Sequence, residues 1–312
     1  MTSLITIQSL EKSFGRTRAL GGVDLDIPAG KVTAFLGPNG SGKTTTIKCA
    51  MNLQAADAGR ITVLGTDSAQ LGPDQFRRIG YVSENQQQPE WMSVTALLDY
   101  LRPMYGTHWD RDFEKRLLKQ FDIPLRTPLK NLSRGQKMKA SLLSSLAYRP
   151  QLVVLDEPFS GLDALVRDEF LTGLLELTES EGWTVWISSH DIEEVERFAD
   201  RVAILNAGRV DLEENVESLQ QRFRSVEVVV ESEIGGQLGT PGSWLNFQTS
   251  GRTARFTDSN HDEARILKTI REHFPTALRH EARPMSLREI FVALAKTYRL
   301  ESKNGTPNHP SP

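Results

Sequence analysis

Short apolar runs punctuate the first two-thirds of the chain: Val32–Leu36, Ile79–Val82, Leu152–Leu155, Thr184–Ser188 and Val202–Leu205. Each is rich in Val and Ile and is bounded by turn residues, the pattern of strands buried on both faces. Helical periodicity separates most of them, which predicts a mainly parallel α/β sheet. Leu4–Leu10 and Ala19–Ile27 instead alternate apolar and polar positions, predicting antiparallel strands on one edge of that core. Between about residues 85 and 149 helical periodicity takes over, as in VTALLDYLRPMY, DFEKRLLKQF and KMKASLLSSLAY, and predicts a helical insertion. The apolar and aromatic positions Trp91, Met92 and Tyr100 in that insertion fit either core packing or a docking surface, with core packing the simpler expectation for most of them.

Beyond Gly208 the pattern changes again. Ser225–Glu231 alternates as a strand, and Trp244–Thr249 and Arg252–Thr257 flank Ser250-Gly251, a hairpin signal. Two helical stretches follow. Ser286 with Glu289 three residues on predicts a capping box at the start of the second. The reading is a large domain over 1–215 and a small α+β domain over 222–299. The polar, proline-bearing stretch ESKNGTPNHPSP predicts a disordered tail at 300–312.

Composition narrows the possibilities. A net charge of −3, from 37 basic and 40 acidic residues in 312, provides no global field to recruit nucleic acid, and no nucleic-acid partner is expected. The single cysteine, Cys49, rules out an intrachain disulfide and fits a reducing, cytoplasmic compartment. The N-terminal residues MTSLITIQSLEKSF read as a strand and not as a signal peptide. No apolar run approaches the ~20 residues of a membrane helix, so a role at a membrane needs another chain to span it.

The chemistry concentrates at three places. GPNGSGKT, Gly37 to Thr44, is a glycine, four residues, then Gly-Lys-Thr, set between an apolar strand and a helix. Gly37, Gly40 and Gly42 permit close backbone approach, and successive N–H groups can converge on phosphate oxygens with the helix N-terminus behind them. Lys43 is placed for the β- and γ-phosphates, Thr44 for Mg²⁺ and Thr45 for a further phosphate oxygen. LVVLDEP is a buried strand that delivers Asp156 and Glu157 at its carboxyl end, where α/β sheets bind ligands. Asp156 can orient Mg²⁺ and Glu157 can polarise a water. In LSRGQ, Ser133 and Gln136 form a capping-box pattern, and Ser133 with the Gly135 N–H also makes a second anion-binding helix tip.

GPNGSGKTT, LSRGQ, LVVLDEP, SGLD and the lone histidine of SSHD, in that order, resemble the ATP-binding cassette (ABC) family over about residues 3–215. The resemblance implies a P-loop NTPase cassette with an antiparallel β edge and a helical insertion, beside the small C-terminal α+β domain. It implies an ATPase using ATP and Mg²⁺, paired head to tail with a second ABC subunit, alike or different. It implies docking beneath separate membrane-spanning permease subunits on the inner face of the cell membrane. Phe14 then corresponds to the aromatic that stacks on adenine. Gly37, Pro38, Asn39, Gly40, Ser41, Gly42, Lys43, Thr44 and Thr45 form the phosphate cradle. Asp156 lies on the metal side, and Glu157 and His190 are catalytic. Ser133, Gly135 and Gln136 act in trans on the partner's nucleotide, and Asp163 couples the two sites. Ordinary structure offers rivals: Phe14 as core, His190 as a satisfied structural histidine, Asp163 as a helix cap.

Two departures from the family pattern stand out. Arg134 occupies a position where many cassettes have glycine. Glu84 falls where the family carries a glutamine that senses Mg²⁺ and contacts the membrane subunit, with Gln86 the competing candidate. The C-terminal segment ending SLREIFVALAKTYRL is similar to the tails of cassettes that serve ABC-2-type exporters, which favours export. The alternative class is a soluble ABC ATPase acting on ribosomes or DNA. Such proteins carry a second cassette or a long coiled coil, and neither pattern is visible here.

Overall fold

The computed structural model describes residues 2–84, 86–234 and 239–304. The chain divides into two compact units, the first ending at Glu213 and the second beginning at Glu214.

The first unit opens with β1 (Ser3–Phe14) and β2 (Thr17–Pro28), an antiparallel pair. β3 (Val32–Leu36) leads to α1 (Lys43–Ala50), followed by β4 (Ala58–Val63), β5 (Thr66–Asp67) and α2 (Pro73–Phe76). β6 (Ile79–Ser83) precedes the helical segment α3 (Val94–Tyr105), α4 (Arg111–Phe121) and α5 (Arg134–Leu146). β7 (Leu152–Asp156), α6 (Ala164–Glu181), β8 (Thr184–Ser189), β9 (Arg201–Asn206) and β10 (Arg209–Asn215) complete it.

Six strands form one sheet in the order β10-β9-β3-β8-β7-β6, and β6, β7, β8, β3 and β9 pair in parallel. Every residue of β3, β7 and β8 is buried, as expected for strands covered on both faces. The alternating strands do not extend this sheet. They build a second one, β2-β1-β4-β5, joined to the first through a shared core. The reason lies in the alternation itself: Ile5, Ile7, Leu10, Val23, Leu25 and Ile27 bury one face, and the opposite face carries polar residues such as Thr6, Asp24 and Asp26. Ile47, Cys49 and Ala50 of α1 enter the same core with Phe35, Val154 and Trp186 of the parallel sheet. Helix α1 is therefore fixed by both sheets. Burial of each such large side chain stabilises the arrangement by about 1.5–3 kcal/mol.

In the helical segment Phe113, Leu117 and Leu98 are buried, but Trp91 is 75% and Tyr100 53% exposed. The expectation that these two aromatics pack in the core is corrected: they lie on the faces turned from it, and only Met92 is half-buried.

The second unit contains α7 (Val216–Arg222), β11 (Arg224–Val230), β12 (Trp244–Ser250), β13 (Thr253–Asp258), α8 (Glu263–His273), β14 (Ala277–Pro284) and α9 (Leu287–Asn304). Its sheet runs β12-β13-β11-β14, and Val226, Val228, Trp244, Phe256, Ile266 and Phe274 form its core. The capping box is formed: Ser286 N donates to Glu289 Oε2 at 2.9 Å and Glu289 N to Ser286 Oγ at 3.2 Å. Helix α9 continues to Asn304, into the stretch expected to be a tail, because Leu300, Glu301 and Lys303 are good helix formers and the first proline comes only at 307. Residues 305–312 of that expected tail lie outside the described residues.

Candidate nucleotide site

The loop between β3 and α1 is shaped by close approach. A Cβ on Gly37 would lie 2.3 Å from the Leu205 carbonyl oxygen, so only glycine lets the loop leave the sheet there. Gly42 sits at φ +111°, a left-handed conformation costly for other residues, and turns the chain into α1. Gly37 and Ser41 are buried while Pro38, Asn39 and Gly40 form an exposed rim. Ser41 Oγ is buried and has no hydrogen-bond partner among the described residues. A buried hydroxyl left unpaired in a loop of N–H donors fits a site that an anion completes.

Lys43 is 5% exposed. Its Nζ donates to the carbonyl oxygens of Gly37 at 2.7 Å and Pro38 at 3.3 Å, and lies 3.0 Å from Glu157 Oε1. Thr44 Oγ1 donates to Asp156 Oδ1 at 3.1 Å, so the loop and the end of β7 meet through α1's first turn. Thr45 is half-buried on the same turn.

Asp156 is 2% exposed, and burial raises its carboxyl pKa above the ordinary value, opposed by hydrogen bonds from Ser188 and Thr44. Glu157 has φ +50°, an uncommon conformation for a residue with a Cβ. That turn lifts its side chain off the sheet edge towards two partners: the Lys43 ammonium on Oε1 and the His190 ring, with Nδ1 2.8 Å from Oε2. Ser188 fixes the turn, donating its Oγ–H to Asp156 Oδ1 at 2.8 Å while accepting from Glu157 N at 3.0 Å. Sequence reasoning did not single out Ser188. Its signal was present in Ser188-Ser189, two hydroxyls at the end of a fully buried strand.

His190 follows β8 directly; its side chain is 44% exposed and its Nδ1 lies 2.8 Å from Glu157 Oε2. Phe14 is 50% exposed, at the end of β1, with Lys12 Nζ 5.5 Å from the ring centroid. It is an exposed aromatic face and not core. Asp163 caps α6, accepting from Val166 N at 2.9 Å.

Ser133 and Gln136 form the capping box at the start of α5: Gln136 N donates to Ser133 Oγ at 3.2 Å and Ser133 N to Gln136 Oε1 at 3.0 Å. Gly135 is buried, and a Cβ there would lie 2.7 Å from Val166 Cγ1, so α5 packs closely on α6 and leaves Ser133 at an exposed tip. The carboxylate of Glu84, expected at the metal, is held by Arg134 Nη2 at 2.6 Å and Ser160 Oγ at 2.7 Å, and its own N–H donates to the Asp156 carbonyl oxygen at 3.0 Å.

A phosphate-binding loop on a parallel sheet, a carboxylate pair at the end of the strand next but one and a helical segment bearing a serine-capped tip define one class. The first unit has the mixed α/β P-loop fold of ABC ATPase cassettes. Residues 20–160 match the ABC transporter family model. The chain is 41% identical over 216 residues to a sulfate/thiosulfate import ATP-binding protein, CysA, of Xylella fastidiosa, covering 66% of this chain and 62% of that protein. It is 34% identical over 218 residues to the protein of the same name from Nocardia farcinica, covering 67% and 64%. The chain thus spans about three-fifths of the length of the curated relatives it matches. Among solved structures it is similar to the ATP-binding subunit of an ABC transporter (TM-score 0.63, 26% identity, 70% of this chain and 92% of that one). It is also similar to a dimeric bacterial ABC transporter cassette (TM-score 0.60, 25% identity, 68% and 98%).

Proposed function

We propose that this chain hydrolyses ATP, in a head-to-tail pair with a second ABC subunit, and powers transport through separate membrane-spanning permease subunits. The observation that carries the reading is the placement of Glu157: one carboxylate, turned out of the strand by its left-handed backbone, bridges the loop lysine and a histidine. The triphosphate occupies the loop N–H groups, Ser41, Thr45 and Lys43, and adenine stacks on Phe14. Glu157 accepts a proton from the attacking water, and His190 orients both Glu157 and the γ-phosphate. Asp163 couples the two sites. Ser133, Gly135 and Gln136 present their helix tip to the nucleotide held by the partner.

Thr44 Oγ1 and Asp156 Oδ1 are hard oxygen donors suited to Mg²⁺ beside phosphate oxygens and water. Among the described residues no cluster of three or more His, Cys, Asp or Glu could hold a metal, which fits an ion that arrives with the nucleotide. Bound there, Mg²⁺ neutralises charge developing on the phosphates. Glu84, expected in this set, has its carboxylate held by Arg134 and Ser160 instead.

Among the described residues no helix is long and apolar enough to cross a membrane. The exposed side chains Trp91, Tyr100 and Met104 of the helical segment are suited to an apolar face for a permease, which supports a peripheral position on the inner face of the membrane. Export is the direction we favour, on the C-terminal unit and on Glu84 in place of glutamine. Import is the second reading, favoured by the names of the curated relatives, whose likeness extends over 216 residues, about the length of one cassette. Reconstitution with the co-purified permease in inside-out vesicles separates them. Export loads the vesicle lumen on ATP addition, and ATP-driven depletion of the lumen establishes import.

Ser133→Arg tests the trans role. The purified variant is expected to bind ATP normally as a single subunit and to lose turnover by on the order of tenfold or more, the worth of a helix-terminus contact to an anion. A variant monomer that fails to bind ATP contradicts the trans assignment.

A further inference from the structure

The two residues that depart from the family pattern, Glu84 and Arg134, are 50 positions apart and touch. Glu84 follows β6 and its side chain is 30% exposed. Through one oxygen it accepts from the first residue of α5 and from Ser160, and through its backbone it donates to the Asp156 carbonyl. Ser160 N in turn donates to the Glu157 carbonyl oxygen at 3.2 Å. Three segments therefore meet on one carboxylate: the exit of β6, the serine-capped helix tip and the turn that follows the reactive glutamate.

Arg134 is a poor choice for a helix's first turn, because its charge opposes the positive end of the helix. Glu84 neutralises it. The guanidinium also lies against the backbone of Gly161: a Cβ there would fall 2.0 Å from Arg134 Nη1, so any side chain at 161 displaces it. Arg134 is seated by both neighbours in one place.

We infer that Glu84, Arg134 and Ser160 form a positioning latch that fixes the α5 tip relative to the Asp156–Glu157 strand end of the same chain. The inference rests on the proposed ATPase reading and deepens it. The tip that grips the partner's γ-phosphate is aligned by the carboxylate site of its own subunit, so the two nucleotide sites of a pair are linked within each chain by a charge pair. Glu84 acts through Arg134 and is a positioning residue, not a catalytic one.

The test compares the full-length purified chain with Glu84→Gln, Arg134→Ala, Arg134→Lys and the double variant Glu84→Gln/Arg134→Ala. Affinity for a fluorescent ATP analogue is expected to stay within about twofold in all four, since the loop is untouched. Turnover at saturating ATP is expected to fall about tenfold in Glu84→Gln and in Arg134→Ala, the size of one charge-assisted contact. It should fall no further in the double variant and largely return in Arg134→Lys. Single variants at wild-type turnover, or losses that multiply in the double variant, overturn the latch. If the unmodified chain shows no ATP turnover, the ATPase reading fails, and the latch is then judged separately by amide exchange without nucleotide. Gln136 and Lys137, whose N–H groups bond to Ser133, should exchange about tenfold faster in Arg134→Ala and Glu84→Gln alike. Unchanged protection in both variants overturns it.

Discussion

Glu157→Gln is expected to bind ATP as well as the unmodified chain, to accumulate as a closed pair of subunits, and to lose between about 10² and 10⁴ of its turnover. The glutamine keeps the shape of the side chain and can still face His190 and Lys43, which hold the two carboxylate oxygens at 2.8 and 3.0 Å. What it loses is basicity at the one atom pair turned out of β7 towards the loop. Phosphate release measured beside light scattering in ATP separates the two effects, slow chemistry with persistent pairing. Undiminished phosphate release by the purified variant removes Glu157 from the role of base.

Lys43→Ala should act one step earlier, on nucleotide binding. The ammonium is nearly enclosed, and it donates to the carbonyl oxygens of Gly37 and Pro38. Loss of a charged donor at such a site lowers affinity by roughly 10- to 100-fold. The same change strips Glu157 Oε1 of its cation, in a side chain only 13% exposed, so the variant is also expected to unfold at lower temperature. Calorimetric titration with ATP reads the first effect and thermal unfolding the second. An affinity equal to that of the unmodified chain contradicts the cradle.

Much of this architecture is written in local pattern. The parallel strands are legible because burial on both faces leaves almost no choice but Val, Ile, Leu and Phe, as in VTAFL and LVVLD. The phosphate loop is legible because its glycines and lysine are adjacent in sequence. Pattern fails where the cause is long-range or two-sided. Alternation identified β1 and β2 as antiparallel but could not say that they close a sheet of their own with β4 and β5. Strand β14, ALRHEARP, is exposed along most of its length and carries no alternation to read, although its backbone pairs with β11 from Ala277 to Pro284. The left-handed backbone of Glu157 and the meeting of Glu84 with Arg134 depend on neighbours remote in sequence, Ser188 for the one and the packing of α5 for the other. Helix α9 runs on into the expected tail because composition judged the segment as a whole, while Leu300, Glu301 and Lys303 individually favour a helix.

The bond between Lys43 and Glu157 means that the resting subunit carries its own counterion. An arriving polyphosphate therefore does not fall into a bare positive well; it trades places with a carboxylate already there, as on an exchange resin. Entry then depends on a difference between two anions, and added salt, which screens both alike, should weaken ATP capture less steeply than it would for an unpaired lysine. Under the proposed base role of Glu157, each displacement also frees that glutamate just as water activation begins, so loading and arming of the subunit become a single event.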